Sequence, residues 1–355
     1  MLHIFPTFAV GGAQSRLVQL LKAFDGRYRH TVLALNGCYD MAAQLPPTAP
    51  LKCCGSTVAN SPTGWRSIRR FIGSAKPDVL ITYNWGAIEW AMANRFNPLA
   101  RHIHIEDGFG SEERHRQLVR RVWFRRLALG GAHTLVVLPS RTLLDIATRQ
   151  WRLRESSLRY LVNGIDCARF APVTKSGGPI VIGTVAALRR EKNLARLIRA
   201  FAAAAQARAD ADLSLVLVGD GPEREALEVV AKDTGCAGRI TFAGATATPE
   251  TYYAQMDIFA MSSDTEQMPL GVLEAMASGL PVVATDVGDI AGMVTPENRS
   301  FLTALSEEEK GLSRSLIALA GDPALRERLG RLNRQKALAE FDYRVMAEKY
   351  LQLFG

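Results

Sequence analysis

Residues 262–285 read S-S-D-T-E-Q-M-P-L-G-V-L-E-A-M-A-S-G-L-P-V-V-A-T, and the reading of the whole chain starts from them. The apolar run Ile258–Met261 before this stretch has the composition of a buried strand. A polar loop follows, then a short helix carrying Val272, Leu273 and Met276, and Gly279-Leu280-Pro281 turns the chain into a second apolar strand. That is a β-loop-α-β unit with its working edge at the loop. Two carboxylates, Glu266 and Glu274, flank the loop, and the segment between them, Gln267, Met268, Pro269, Leu270 and Gly271, leaves backbone N–H groups open at a helix start. Such amides bind phosphate without needing a cation. Glu274 falls one turn into the helix, within reach of a ribose hydroxyl. Glutamates near a helix start also serve the helix dipole and solubility, so the rest of the chain must supply the context.

Working outward, further strands alternate with helices. Ile180–Val185 is a buried strand followed by Ala187-Leu188-Arg189-Arg190-Glu191-Lys192-Asn193 and a helix with Leu194, Leu197, Ile198 and Phe201. Leu213–Val218 ends in Gly219-Asp220-Gly221-Pro222-Glu223, which lacks the third glycine of a dinucleotide fingerprint, so a nicotinamide oxidoreductase is disfavoured. Residues 240–243 form a strand closed by Gly244, and Val287-Gly288-Asp289 follows the 281–285 strand. Towards the amino terminus, residues 3–5, 31–35, 79–82, 102–105 and 134–138 read as strands, and a short one is expected at 160–162. The first runs into Gly11-Gly12 and a helix carrying Leu17, Leu20, Leu21 and Phe24; a glycine pair there admits a ligand to the backbone. The alternation predicts parallel sheets with ligands at the strands' carboxyl ends, where Tyr83-Asn84-Trp85 and Glu106-Asp107-Gly108 fall. His104, two residues before Glu106, is left either buried or aimed at the ligand by strand alternation. Pro172 to Pro179, with Lys175, Gly177 and Gly178, has linker composition.

The chain of 355 residues is long enough for two domains and holds no apolar run that would span a membrane. Met1–Phe5 reads as a strand rather than a leader, and Cys38, Cys53, Cys54, Cys167 and Cys236 lack paired or metal spacing, as expected of free thiols in a reducing cytoplasm. A D-x-D pattern occurs only at Asp210-Ala211-Asp212, between an Ala-rich helix and a strand, where a solvated turn is expected, so no metal or other cofactor is expected. The net charge of +8 is uneven: residues 114–126 hold Arg114, Arg116, Arg120, Arg121, Arg125 and Arg126 with His115, between Leu118, Val119, Val122, Trp123 and Leu127 at helical spacing. Such a helix either presents a solvated charged face or rests on an anionic membrane surface. Nucleic acid is not expected as a partner, because no aromatic-interleaved basic strand accompanies the charge.

The order and spacing of the motifs from 180 to 294 resemble glycosyltransferase family 4, a family of retaining enzymes with the GT-B fold. The resemblance implies two Rossmann-like domains facing across a cleft, residues 1–171 and 180–335, with a carboxyl-terminal helix, 336–355, returning to the first. It implies that Glu274 holds the ribose of a nucleotide sugar, that Glu266 contacts the transferred sugar, and that the amides of 267–271 hold its hydroxyls and the diphosphate. Lys192 aligns with the cation that neutralises the diphosphate; the companion arginine position is Ala187 here, so Arg189 or Arg190 would supply that charge. Gly219 and Asp220 lie in the loop beside the nucleotide, Gly244 borders the base, and Gly11 and Gly12 face the diphosphate. Asn163-Gly164-Ile165-Asp166, with Phe170 and Pro172, matches the end of the family's first domain. Where many members carry a histidine this chain has Asp107, which makes Asp107 the candidate to hydrogen-bond an acceptor hydroxyl or to take up its proton.

The expected activity is therefore transfer of a sugar from a nucleoside-diphosphate sugar to the hydroxyl of a lipid-linked or cell-surface glycan, in the cytoplasm or peripherally on the inner face of the plasma membrane. Glu266, Asp107 and Lys192 form the expected catalytic group. A nucleotide-sugar epimerase of the same architecture and a non-catalytic donor-binding protein are the alternatives.

Overall fold

The computed structural model describes residues 1–45, 51–54, 64–109, 111–113, 117–175 and 177–354. The chain divides into two compact units, Met1–Asn163 together with the carboxyl-terminal residues from Met346, and Gly164–Val345.

Among the described residues of the first unit seven strands, β1 Leu2–Phe5, β2 His30–Ala34, β3 Leu51–Cys53, β4 Val79–Tyr83, β5 Arg101–Ile105, β6 Thr134–Leu138 and β7 Leu158–Tyr160, form one sheet. Its order is β3-β2-β1-β4-β5-β6-β7, and every pairing is parallel. The helices are α1 Gly12–Phe24, α2 Trp65–Ala75, α3 Ile88–Ala93, α4 Val119–Leu129 and α5 Arg141–Arg149. Central strands buried on both faces read as mostly apolar runs, as Val79–Tyr83 does with all five residues buried and its one short polar side chain, Thr82, bonded to His102 and His104. The last strand lies two residues earlier than the expected 160–162. Leu158 is the residue that turns into the core, Arg159 and Tyr160 are exposed, and the strand pairs only with β6 at the sheet edge. Ser140 starts α5 by accepting a hydrogen bond from the Leu143 amide at 3.0 Å.

The second unit has strands β8 Ile180–Val185, β9 Leu213–Val218, β10 Ile240–Gly244, β11 Ile258–Met261, β12 Val282–Thr285 and β13 Leu302–Thr303. They form a sheet in the order β10-β9-β8-β11-β12-β13, parallel throughout. Its helices are α6 Leu194–Ala207, α7 Arg224–Asp233, α8 Glu250–Tyr253, α9 Leu270–Ala277, α10 Ile290–Met293, α11 Glu308–Gly321 and α12 Pro323–Lys336. Leu197, Phe201, Leu312 and Leu316 pack with Ile182, Leu215 and Ile258 into one core. Asp322 caps α12 through the Leu325 amide at 2.8 Å, with Pro323 in the first turn where its missing N–H costs nothing.

The last helix, α13 Tyr343–Phe354, buries Tyr350, Leu353 and Phe354. Phe354 meets Phe24 edge-on at 5.8 Å and Tyr28 at 6.0 Å, and Arg101 donates to the Leu353 carbonyl at 2.8 Å. A guanidinium on the open carbonyls of a helix end satisfies them and opposes the helix dipole.

Both sheets change winding direction once, between β1 and β4 and between β8 and β11. Loops leaving the carboxyl ends of such a strand pair diverge, and the gap between them is where open α/β sheets take ligands.

Candidate functional site

In the second unit the loops after β8 and β11 are laced together. The Arg190–Lys192 turn ends at Asn193, whose backbone is left-handed at φ 43°, a conformation asparagine tolerates. Asn193 Nδ2 donates to Asp264 Oδ1 at 3.0 Å, the Asp264 amide to the Glu191 carbonyl at 2.9 Å, and Ser262 Oγ to the Lys192 and Asn193 carbonyls at 3.1 and 2.9 Å. This framework fixes the two side chains that matter. Lys192 Nζ donates to Glu266 Oε1 at 2.5 Å, and Ser263 Oγ reaches the same oxygen at 2.8 Å. A cation and a carboxylate are thus held side by side at the switch point. Arg189 and Arg190, by contrast, are solvent-exposed.

Two glycines shape the surrounding loops. Gly219 has φ 136°, and a Cβ there would sit 1.9 Å from the Ala186 carbonyl oxygen, so the 219–221 loop closes onto the backbone after β8 only with glycine. Gly219 also donates to the Gly244 carbonyl at 2.8 Å, joining the third loop, and Asp220 Oδ1 accepts from the Gly221 amide. Gly288 has φ 60°, and its Cβ would meet the Glu266 carbonyl oxygen at 2.4 Å. With the Asp289 amide donating to the Gln267 carbonyl at 3.0 Å, Gly288 backs the 266–268 segment from behind. The contact of Gly288 with the Glu266 carbonyl is tertiary, so sequence patterning does not reveal it.

Pro269 holds an extended backbone before α9, and the Val272 amide closes on the Pro269 carbonyl at 3.2 Å, which leaves the Leu270 and Gly271 amides unpaired by the helix itself. Val272, Leu273 and Met276 face the core, and Glu274 lies on the opposite side, half-buried. Burial raises the Glu274 pKa, against the Tyr253 hydroxyl at 2.8 Å and the nearby Arg169 charge, which oppose the rise; Glu250 adds to it. Tyr253 is a site residue that strand and helix patterning does not single out.

In the first unit Asp107 follows β5 and is pinned from three sides. Arg16 grips it with both guanidinium ends, Nη1 to Oδ1 at 2.6 Å and Nη2 to Oδ2 at 2.8 Å, and also donates to Asn163 Oδ1 at 2.7 Å. The Asp107 amide donates to Asn84 Oδ1 at 2.7 Å. Both carboxylate oxygens are engaged, which suits a fixed acceptor of hydrogen bonds better than a proton-collecting base. Arg16 went unnoticed in the sequence, although an arginine one turn before Leu20, on the face that α1 buries, was the available signal. Gly11 and Gly12 stand at the start of α1, with the Ser15 amide bonded to the Gly11 carbonyl at 2.9 Å. His104 is buried against Thr82 at 2.8 Å, which decides between its two readings.

The basic helix corrects one expectation. Residues 114–116 lie outside the described residues. Of the rest, Arg125 is fully buried: it donates to Glu113 at 3.1 and 2.8 Å, lies 3.4 Å from Glu106, and is surrounded by the rings of Trp85, Phe109 and Trp151 at 5.0, 5.1 and 5.2 Å. Arg121 turns to Glu112 and Glu113 and stacks on Trp85. What α4 presents to solvent is Val119, Trp123 and Leu127 with Arg120, and Arg126 lies over Trp123 at 5.4 Å. Besides Arg125, α4 buries Ala128 and Leu129, with Val122 and Phe124 packed against the same core, and Glu113 and Glu106 supply the countercharge that lets Arg125 join them.

Two family models match the chain, Glycosyltransferase Family 4 over residues 10–169 and Glycosyl transferases group 1 over residues 179–322. The chain belongs to the family 4 glycosyltransferases. Among curated relatives of this family 4 chain, the lipopolysaccharide core biosynthesis glycosyltransferase LpsE of Rhizobium meliloti (strain 1021) is 31% identical over 141 residues, 40% of this chain and 41% of that protein. A GDP-mannose-dependent alpha-mannosyltransferase of Mycobacterium tuberculosis (strain CDC 1551 / Oshkosh) is 31% identical over 201 residues, 54% of this chain and 48% of that one. The matched segments thus span less than half the length of these relatives. The crystal structure of Anabaena Alr3699/HepE in complex with UDP superposes with a TM-score of 0.83 at 20% identity, over 99% of this chain and 98% of that one. At that identity the likeness is one of fold, and the family 4 chain has the two-unit α/β architecture of GT-B proteins.

Proposed function

We propose that the protein is a retaining glycosyltransferase that moves a sugar from a nucleoside-diphosphate sugar to a hydroxyl of a lipid-linked or cell-surface glycan. The observation that carries this reading is the Lys192–Glu266 pair at 2.5 Å beside the open first turn of α9, with Glu274 on the same helix. Glu274 takes the ribose, the Leu270 and Gly271 amides at the start of α9 take the diphosphate, and Glu266 takes the sugar. Lys192, with Arg189 or Arg190, stabilises the charge that grows as the anomeric C–O bond breaks and its electron pair passes to the diphosphate oxygen. The acceptor oxygen bonds to the anomeric carbon, and its proton leaves to the departing diphosphate or to solvent. Asp107, gripped by Arg16, orients an acceptor hydroxyl. The names of the relatives, among them a lipopolysaccharide core enzyme, support the glycan acceptor.

Thermal melting tests the donor site. One of UDP, GDP and ADP should raise the melting temperature, by about 2.7 kcal/mol of stabilisation at a hundredfold excess over Kd, and Glu274→Ala should abolish the shift. A shift with NAD alone, or with none of the diphosphates, would remove the reading. Diphosphate release from the sugar donor without acceptor would favour an epimerase, and binding without turnover a non-catalytic protein.

No described helix is long and apolar enough to cross a membrane. We infer that the outer face of α4 instead rests on the anionic inner leaflet, since Val119, Trp123 and Leu127 are 62%, 63% and 48% exposed in a row flanked by Arg120 and Arg126. Each arginine near such a surface contributes about 1 kcal/mol. Arg120→Gln with Arg126→Gln should therefore weaken co-sedimentation with phosphatidylserine vesicles about thirtyfold and leave neutral vesicles unaffected. Unchanged binding would refute the membrane contact.

A further inference from the structure

Tyr253 takes no part in the donor contacts proposed for Glu266, Glu274 and Lys192. Its ring is 1% exposed, packed edge-on to Phe170 at 5.6 Å and tilted against Phe259 at 5.8 Å, so its hydroxyl is aimed rather than free to roam. That hydroxyl lies 2.8 Å from Glu274 Oε2, and its other acceptor, the Gly271 carbonyl oxygen, is more distant at 3.3 Å. Among the described residues Glu274 Oε1 accepts no hydrogen bond. One carboxylate oxygen is therefore braced and the other is open.

We propose that Tyr253 is a positioning residue that holds Glu274 in the one orientation able to receive both hydroxyls of a ribose. The inference rests on the donor-site reading above and adds the residue on which its ribose selectivity depends. The physical argument is preorganisation. A glutamate has three rotatable bonds, and a half-buried one on a helix surface must give up that freedom when it binds a diol. A hydroxyl donating to Oε2 fixes the carboxylate plane beforehand, while a carboxylate keeps acceptor sites on both oxygens for further donors. Tyr253 can do this because its own position is set by two aromatic rings and not by the ligand.

The electrostatics agree with the geometry. Burial pushes the Glu274 pKa up, and the opposing influences are the Tyr253 hydrogen bond and then the Arg169 charge, with Glu250 working on the side of burial. Arg169 is in turn held by Glu250 at 2.7 Å and by the Ala247 carbonyl at 2.9 Å. Without the hydroxyl, Glu274 would be protonated more readily. The acid limb of nucleotide binding should then move to higher pH, an effect that lost packing alone would not produce.

The experiment is calorimetric titration of wild type, Tyr253→Phe, Glu274→Ala and the double variant with ribo and 2′,3′-dideoxy forms of UDP, GDP and ADP. Phenylalanine keeps the ring and its packing, and a melting curve of each variant reports its fold. Tyr253→Phe should weaken the ribonucleotide about tenfold and change the dideoxy form by less than about twofold, as expected for a hydrogen bond to a charged group. In the Glu274→Ala background it should change neither. Equal weakening of both forms, unchanged ribonucleotide affinity, or an effect that persists without Glu274 would each overturn the inference while leaving the donor site standing. A wild type that binds ribo and dideoxy forms equally would remove the ribose role of Glu274 and this inference with it, and a wild type that binds no diphosphate would remove the transferase reading itself.

Discussion

Arg125→Met is expected to cost about 3–5 kcal/mol of stability, a large fraction of what holds a domain folded. Arg125 is wholly inside the protein and bonded to both oxygens of Glu113, which is itself 3% exposed. Methionine would fill the space among Trp85, Phe109 and Trp151 and leave the Glu113 carboxylate without its main countercharge. Removing one partner of a buried pair costs far more than the pair contributes, because the remaining charge is stranded in a medium that solvates it poorly. Glu106, 0% exposed and 3.4 Å from the same guanidinium, would lose its nearest cation as well. The pH dependence should change in a definite direction. Burial would raise the Glu113 pKa, but Arg125, the Leu118 amide and Arg121 outweigh it and hold it below the usual value. Glu113 therefore contributes stability that is present above the unfolded glutamate pKa of about 4.3 and is lost as pH falls through the lower folded value. Denaturant titrations from neutral pH down to about pH 3 should show this loss in wild type and a much smaller one in Arg125→Met, since the variant lacks the interaction to lose. A variant as stable as wild type at neutral pH would show that Arg125 is a passive filler.

The second large effect is on turnover. Lys192→Met should lower the rate of nucleoside-diphosphate release from the sugar donor by about 10²–10³, the range for losing one preorganised stabiliser of developing charge. It should barely move the melting temperature. The 190–193 turn is held by Asn193, by the Glu191 carbonyl and by Ser262, none of which involves the lysine side chain. The Lys192–Glu266 pair is itself partly exposed, at 25% and 11%, so the surrounding water screens it and its loss is a small stability term. Glu266 would keep its hydrogen bond from Ser263. The separation of a large kinetic effect from a small thermal one is what the geometry predicts, and wild-type turnover in Lys192→Met would sink the assignment.

How far these features could be read from the sequence depends on which interactions create them. Ile180–Val185, Leu213–Val218 and Ile258–Met261 appear as strands at the expected residues, because a strand inside the sheet is mostly apolar; Leu213–Val218 ends at Gly219 and Ile258–Met261 at Ser262. The α9 loop and its two glutamates were legible for the same reason. β3 and β13 were not anticipated: Leu302–Thr303 is only two residues long and exists because Ala284 and Thr285 offer it an edge. The α4 arginines misled in another way. Helical spacing does not tell which one of several arginines turns inward, and here Glu113, Glu106 and three aromatic rings distant in sequence take Arg125 inside while Arg120 stays exposed. Arg16 and Tyr253 are of this kind too, since their partners lie 91 and 21 residues away.

The position of α13 has a consequence for how the protein is made. Phe24 and Tyr28 emerge from the ribosome early and Phe354 only after the whole second unit, yet the three rings pack together, and Arg101 waits for the carbonyls of Leu353 and Phe354. Domains generally fold in the order in which they are synthesised. Here the half translated first is the half completed last, so during synthesis it carries an uncovered aromatic patch that chaperones can occupy until the final helix arrives.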